Sequence, residues 1–121
     1  MVVRLAGQAA SRIDAILKES ARRWGADAAW RYHLLIFAAI AAIGENPDRA
    51  GASPVPRVPG LRSWHLRLAR QFVESGQRVH EPRHLIVYRV APRGLVEILS
   101  LVHDRMDISR AARQARRAAD S

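Results

Sequence analysis

The 121-residue sequence has no cysteine, a single lysine and few aromatic residues. The absence of cysteine excludes a disulfide framework and a thiolate metal site, and it fits a reducing compartment. Because Lys18 is the only lysine, arginine supplies almost all of the cations behind a net charge of +9. Guanidinium groups bind carboxylates and phosphates through paired hydrogen bonds, so the composition predicts an acidic protein or a nucleic acid as partner.

Long hydrophobic runs are also missing. The most apolar stretch is "HLLIFAAIAAIG", His33–Gly44, which is shorter than the roughly 20 residues that span a bilayer. The N-terminal "MVVRLAGQAASR" has no extended apolar region of the signal-peptide type. We therefore expect a buried helix at His33–Gly44, no membrane segment, and a soluble cytoplasmic protein with a single domain over residues 1–121.

The first third of the chain has the pattern of a short strand followed by two helices. Residues 2–5 are β-prone, and helical spacing of apolar residues begins at Ala9. Ser11 and Asp14 resemble a capping pair, and a helix start one turn earlier stays open. Gly25 interrupts the pattern, and a second helix is predicted over residues 27–43. Two helices joined by one glycine-containing turn predict an antiparallel helical hairpin.

The remainder of the chain has the pattern of strands. Residues 44–60 contain four prolines and three glycines, which predicts an irregular connection. The role of residues 71–83 stays open between a hairpin extension and a loop. Strands are predicted at residues 62–70, 84–90 and 95–102, the last buried on both faces, and residues 109–121 predict a surface helix or a frayed end.

This order, β-α-α-β-β-β with a tail helix, indicates the α/β (α+β) class. An antiparallel sheet with the helical hairpin packed on one face would bury the apolar sides of both halves.

Candidate sites for chemistry are sparse. His65, His80, His84 and His103 lack accompanying carboxylates at ligand spacing, so no metal and no cofactor is expected. No nucleophile motif or phosphate-binding glycine loop occurs. A metal-free nuclease stays open if basic residues at the strand ends converge, since these could move protons and stabilise phosphate charge. Its candidate residues are His65, Arg67, Arg70, His103 and Arg105.

The three tryptophans divide into core and surface candidates. Trp24 and Trp64 fall on predicted apolar faces, whereas Trp30 lies off the apolar face of its helix and is a candidate interface anchor. The candidate binding residues for a protein partner or target are Trp30, Arg67, Arg70, Arg83, Arg89, His103 and Arg105.

Several segments together resemble ParE-type toxins of the ParE/RelE superfamily, the toxin halves of type II toxin–antitoxin pairs. In order they are "RLAGQAASRIDAI", "RWGADAAWRY", "NPDRAG", "GLRSWHLRLAR", "PRHLIVYRV" and "VEILSLVHDRMD". The resemblance covers residues 3–108 and implies the small RelE-like fold. It also implies an acidic ParD-like antitoxin as partner, and DNA gyrase as the target whose inhibition blocks replication and growth.

The same superfamily contains ribosome-dependent mRNA endoribonucleases of the RelE type, which use lysines, arginines and a C-terminal Tyr or His. Here the only lysine lies in the first predicted helix and no tyrosine follows Tyr88. The resemblance therefore favours a toxin that is not an enzyme, with the nuclease as the alternative and a basic nucleic-acid-binding domain as a second alternative. We expect the antitoxin to place an amphipathic helix between the hairpin and the sheet, and the strand containing Leu5 to offer an edge for strand addition.

Overall fold

The computed structural model describes residues 2–121, which form one five-stranded sheet and three α-helices. The elements in chain order are β1 (Val3–Leu5), α1 (Gly7–Trp24), α2 (Ala26–Glu45), β2 (Ser53–Pro54), β3 (Arg62–His65), β4 (His84–Val90), β5 (Val96–His103) and α3 (Ile108–Asp120). Short 3-10 turns at Leu66–Phe72, Ser75–Gln77 and Pro92–Gly94 connect the later strands. The predicted α+β class is confirmed, and the turn near Ser75 makes residues 71–83 a loop.

The sheet has the strand order β1-β5-β4-β3-β2. Its strands β2 to β5 pair antiparallel. The N-terminal strand pairs parallel with β5, with Val3 opposite Val96. Because β5 lies between β1 and β4, seven of its eight residues are buried, in agreement with the prediction of a central strand.

The helical hairpin forms as predicted, with its turn at Gly25. This residue has φ = 94°, a conformation that side chains other than glycine rarely adopt. The predicted capping pair at Ser11 and Asp14 is wrong, because α1 begins at Gly7 and its N-cap, Ala6, makes no side-chain hydrogen bond. The earlier start places Ala9, which is fully buried, on the sheet directly after β1.

The second helix is longer than the apolar run that predicted it. At 20 residues, α2 has the length and apolar composition of a membrane-crossing helix, although the apolar run His33–Gly44 within it is shorter than a membrane span. One such helix is weak support for a membrane span, because the core helix of a soluble protein meets the same criteria. Seven residues of α2 are buried, all between Leu35 and Gly44.

Apolar side chains cover both faces of the sheet. On one face the hairpin packs over the inward residues of β4 and β5, including Ile86 and Ile98. On the other face α3 and residues 55–61 cover Val87, Leu99 and Val102. The tail is therefore a packed helix, with Ala112 and Ala115 fully buried, rather than a frayed end or a helix without core contacts.

Two further predictions are corrected by the sheet. The strand predicted at residues 62–70 ends at His65, where the imidazole Nδ1 accepts a hydrogen bond from the backbone N–H of Arg67 and starts a 3-10 helix. The connection at residues 44–60 contains β2, whose Ser53 pairs with Ser63. At His65 a local hydrogen bond outweighs the alternating pattern that predicted a longer strand. At Ser53 the pairing of an edge strand outweighs the proline and glycine content that predicted an irregular connection.

Candidate functional site

Two histidines meet where β4 begins and β5 ends. His84 and His103 are register partners in the sheet, and their rings lie edge to face with centroids 5.3 Å apart. Directly after this pair the chain leaves the sheet through Asp104, whose backbone N–H donates to the carbonyl of Arg83 at 2.8 Å. The antiparallel pairing thus brings residues 83–84 and 103–104 to one corner of the sheet.

Tyr32 of α2 reaches this corner from the helical layer. Its Oη lies 2.6 Å from Nδ1 of His84 and accepts a hydrogen bond of 3.2 Å from the backbone N–H of Arg83. Because the hydroxyl already accepts from Arg83, its own proton is free to donate to His84, and a neutral His84 then carries its proton on Nε2.

Asp104 is the anionic centre of the cluster. Its Oδ2 lies 3.1 Å from Nε2 of His65, and its Oδ1 forms an ion pair with Nη2 of Arg83 at 3.0 Å. Since Nδ1 of His65 accepts from the backbone of Arg67, the proton of its imidazole is on Nε2 and is donated to Asp104. We define the corner cluster as Tyr32, His65, Arg83, His84, His103 and Asp104.

The environment moves the pKa values of Tyr32, His84 and Asp104 away from neutrality. Burial, reinforced by the neighbouring His103, lowers the pKa of His84 to about 4, and burial raises the pKa of Tyr32 to about 12. Burial alone would raise the pKa of Asp104, but the hydrogen bond from His65 and the charge of Arg83 outweigh it and lower that pKa. At neutral pH the cluster therefore holds a neutral imidazole, a neutral phenol and a carboxylate.

A groove of about 1060 Å³ opens beside the corner cluster, between the hairpin and residues 79–84. Its walls carry four arginines, the exposed Trp24 and the rings of Tyr32, His84 and His103. Two acidic residues are present, of which Glu19 pairs with Arg23 and Glu81 with Arg83. We define the arginine groove by Arg12, Arg23, Arg31, Arg83, Trp24 and Ile16.

The structure brings some of the residues predicted from sequence together and separates others. His65, Arg83 and His103 join the corner cluster. Arg105 lies exposed on a turn, and Arg67 and Arg70 lie on the 3-10 helix that follows β3, so these three residues neither join the corner cluster nor line the groove. The remaining two candidates lie elsewhere: Arg89 binds Glu97 and Asp120, and Trp30 stacks on His33 with centroids 5.1 Å apart.

The tryptophan predictions have mixed outcomes. Trp64 is buried and Trp30 is 56% exposed, as predicted. Trp24 is 73% exposed, so its assignment to the core is wrong. It occupies the last position of α1 and lines the groove.

Several residues at this site were not predicted, namely Tyr32, His84, Asp104, Arg12 and Arg31. Tyr32 lies partly buried against the core, but the sequence does not indicate that its hydroxyl meets His84. The one available signal was the presence of His84 and His103 at facing ends of two strands that had to pair. Pairing them in the predicted antiparallel register would have located the corner.

Chemically, the corner cluster and the groove form a binding surface with potential proton donors and acceptors. Within residues 2–121 no group of three or more His, Asp or Glu side chains has the arrangement of a metal site. The free cations in the groove are Arg12 and Arg31, which make no ion pair with any residue that the structure describes. They are available to a carboxylate or a phosphate of a partner.

Comparison with known proteins gives a consistent result. The family described as "ParE toxin of type II toxin-antitoxin system, parDE" matches residues 3–108. A solved structure described as "Chromosomal ParDE TA system from P. aeruginosa" is similar with a TM-score of 0.64 and 18% sequence identity. The match covers 85% of this chain and 95% of that chain. A search of curated proteins found no match.

Proposed function

Because the chain belongs to the ParE toxin family of type II toxin–antitoxin systems, we propose that it inhibits DNA gyrase by binding, without catalysing a reaction. Family membership makes it the toxin half of such a system and implies a ParD-type antitoxin as its partner. The match over residues 3–108 is the observation that carries the proposal, because it includes all five strands and the hairpin. The proposed site of action is the cytoplasm, where gyrase and its DNA are located.

The protonation states of His84 and Tyr32 support binding rather than catalysis by these two side chains. A general acid or base works best with a pKa near the working pH. The pKa values of His84 and Tyr32, about 4 and about 12, lie far to either side of neutrality. Arg83, which could otherwise stabilise a phosphate, is held by the carboxylates of Asp104 and Glu81.

The antitoxin is proposed to dock in the arginine groove. Arg12 and Arg31 would meet its acidic side chains, while Ile16 and Trp24 would meet its apolar ones, which is the pattern of an amphipathic helix in a groove. The groove lies between the hairpin and residues 79–84, and only His84 and His103 of its lining belong to the sheet, so it overlaps in part the place where the sequence analysis expected this helix. β1, at the edge of the sheet, offers unpaired backbone groups to a strand of the same antitoxin.

The proposal is tested by supercoiling assays on purified gyrase with and without the protein, beside cleavage assays on ribosome-bound mRNA. We expect gyrase to be inhibited and the mRNA to stay intact. Adding a ParD-type antitoxin should restore supercoiling. Intact gyrase activity at saturating protein would contradict the proposed target.

Charge-reversal variants locate antitoxin docking. The pair Arg12→Glu and Arg31→Glu should weaken antitoxin binding at least tenfold, since each lost contact between charged groups contributes about 1.5–3 kcal/mol. The pair Arg67→Glu and Arg105→Glu changes the net charge equally outside the groove and serves as control. Equal weakening by both pairs would place the antitoxin elsewhere.

A second candidate function is ribosome-dependent mRNA cleavage. It is favoured by one observation, the meeting of His65, His84 and His103 beside an arginine-bearing groove. His103 is the first residue to change, because its side chain is 38% exposed and lines the groove. Codon-phased mRNA cuts that disappear in His103→Ala, with gyrase unaffected, would establish this function in place of gyrase inhibition.

A further inference from the structure

The last helix has two chemically distinct faces. Its inner face consists of alanines and Ile108, which pack on Val87, Leu99 and Val102 of the sheet. Its outer face carries Arg110, Arg113, Gln114 and Arg117, at the i, i+3, i+4 and i+7 spacing that aligns residues along one side of a helix. We name Arg110, Arg113 and Arg117 the α3 arginine row.

Polar contacts at both ends hold α3 in place. Asp107 caps its first turn by accepting from the backbone N–H of Arg110 at 3.2 Å. Ser109 Oγ donates to the carbonyl of Pro56 at 2.7 Å, and Arg116 donates to the carbonyl of Pro59 at 3.1 Å. At the C-terminal end Asp120 binds Arg89 of β4 at 2.7 Å. The arginine row is thus presented on a fixed helix, which lowers the entropic cost of engaging a ligand.

The cations of the row have no intramolecular partner among the described residues. None of the three side chains makes an ion pair or a hydrogen bond within residues 2–121. The two acidic residues of the region, Asp107 and Asp120, are engaged by the helix cap and by Arg89. The exposed Arg57 lies in the loop that is hydrogen-bonded to α3 and adds to the positive charge of this side of the molecule.

We propose that the α3 arginine row binds the phosphates of duplex DNA without regard to base sequence. From Arg110 to Arg117 the helix rises about 10 Å, a length over which duplex DNA presents about six phosphate charges. Guanidinium groups pair with phosphate oxygens through two hydrogen bonds each. The helix is also narrow enough to lie along the major groove, which is about 12 Å wide.

DNA is favoured over an acidic protein because the outer face has no large apolar residue. Protein interfaces bury an apolar or aromatic centre surrounded by a polar rim. The row and its neighbours offer only arginine, glutamine and alanine. Phosphate contacts need no apolar centre, and they account for essentially all of non-specific DNA binding.

The proposal does not depend on gyrase, so it is tested with the protein and DNA alone. Binding of a fluorescent 20-base-pair duplex is measured by anisotropy between 50 and 200 mM salt for the wild type and for Arg110→Gln/Arg113→Gln/Arg117→Gln. We expect the slope of log K against log salt to become shallower by about 2.7 in the triple variant, at about 0.9 for each lost phosphate contact. Gln114→Arg, which adds a cation to the same face, should steepen the slope by about 0.9.

The control variant Arg22→Gln/Arg67→Gln/Arg93→Gln removes the same charge from exposed positions outside α3 and outside the arginine groove. Its slope should stay close to that of the wild type, and circular dichroism should show all variants folded. Absence of wild-type binding, or equal loss in both triple variants, would overturn the proposal. So would competition by poly-glutamate as effective as competition by unlabelled duplex, because the row would then be a site for acidic polypeptide.

Discussion

The hydroxyl of Tyr32 lies 2.6 Å from Nδ1 of His84 and joins the helical layer to the first residue of β4. The same hydroxyl accepts from the backbone of Arg83, so one side chain of α2 satisfies two groups at the start of the strand. Through His84 and its register partner His103, the contact extends to the end of β5. The contact between Tyr32 and His84 therefore links the position of the helical hairpin to the shape of the arginine groove.

Replacing Tyr32 with phenylalanine should destabilise the fold without removing the ring that packs beside His84. Two hydrogen bonds are lost and the partly buried Nδ1 of His84 is left without its donor. We expect the free energy of unfolding in urea to fall by about 1–2 kcal/mol. An unchanged value would mean that water replaces the hydroxyl at no cost.

Stability should fall when the pH drops from about 6.5 towards 4. The pKa of His84 is about 4 in the folded protein against 6.5 in the ordinary state. Below pH 6.5 the unfolded chain therefore binds a proton that the folded chain does not, and stability is lost as the pH falls. The contribution of His84 is at most about 3 kcal/mol. Urea unfolding at pH 7.5 and pH 5 measures most of it.

Two variants distinguish the contribution of His84 to the pH dependence of stability from that of another histidine. His84→Asn keeps an acceptor for Tyr32 but cannot titrate, so its stability should change less between pH 7.5 and pH 5. His80→Asn alters an exposed histidine and should keep the wild-type dependence. Asp104 and Glu97 also have lowered pKa values, but they are carboxyl groups. They change the pH dependence of stability only below pH 5. Identical slopes in both variants would contradict the assignment.

The carboxylate of Glu97 is buried between arginines of the two neighbouring strands. Arg4 of β1 and Arg89 of β4 are its register partners, and Arg89 donates to it at 2.7 Å. Burial alone would raise the pKa of Glu97, but the hydrogen bonds from Arg4 and Arg89 outweigh it and lower that pKa. The side chain of Arg89 is 24% exposed and that of Arg4 is 62% exposed. The two arginines should therefore contribute unequally.

We expect Arg89→Ala to reduce the free energy of unfolding by about 3 kcal/mol, because it leaves a buried carboxylate with one exposed partner. Arg4→Ala should cost about 1 kcal/mol, as for a largely exposed pair. Chemical denaturation of both variants tests this order. A larger loss for Arg4 would show that the edge strand, rather than β4, secures Glu97.

The packing of α3 is tested by placing a charge on each of its faces. Ala115 is fully buried against the sheet, whereas Ala118 is exposed. Ala115→Glu should cost at least about 2 kcal/mol and lower the helix signal in circular dichroism. Ala118→Glu carries the same charge and should change stability by less than about 0.5 kcal/mol. Equal effects would indicate that α3 is held by its polar end contacts alone.

The sequence predicted best those helices and strands in which the local residue pattern agrees with the packing of the same residues in the fold. β4 has the predicted bounds at both ends because His84–Val90 is rich in β-branched and aromatic residues and is followed by a turn. The strand predicted at residues 62–70 failed at His65, since alternation of Leu66 and Leu68 is also compatible with a 3-10 helix. The imidazole of His65, which caps that helix, decided between the two.

The candidate site was predicted in part. The histidines at the strand ends were identified as candidates, but their convergence depends on the antiparallel register of β4 and β5 and on Asp104, which bridges His65 and Arg83. Arg67 and Arg70 were misplaced with the strand that carried them. The groove residues Arg12 and Arg31 were not predicted, because their proximity results from packing of α1 and α2.

By itself the sequence determined the fold class, the order of elements apart from β2, the family and the basic character of the surface. These follow from local periodicity, from glycine at the helix turn and from composition, none of which requires knowledge of distant contacts. Tertiary structure alone decided that Trp24 is exposed, that the alanine-rich tail is a packed helix, and that His84 is a neutral imidazole bonded to Tyr32. Each of these depends on which layer covers a residue, and that is fixed only when the hairpin and α3 pack on opposite faces of the sheet.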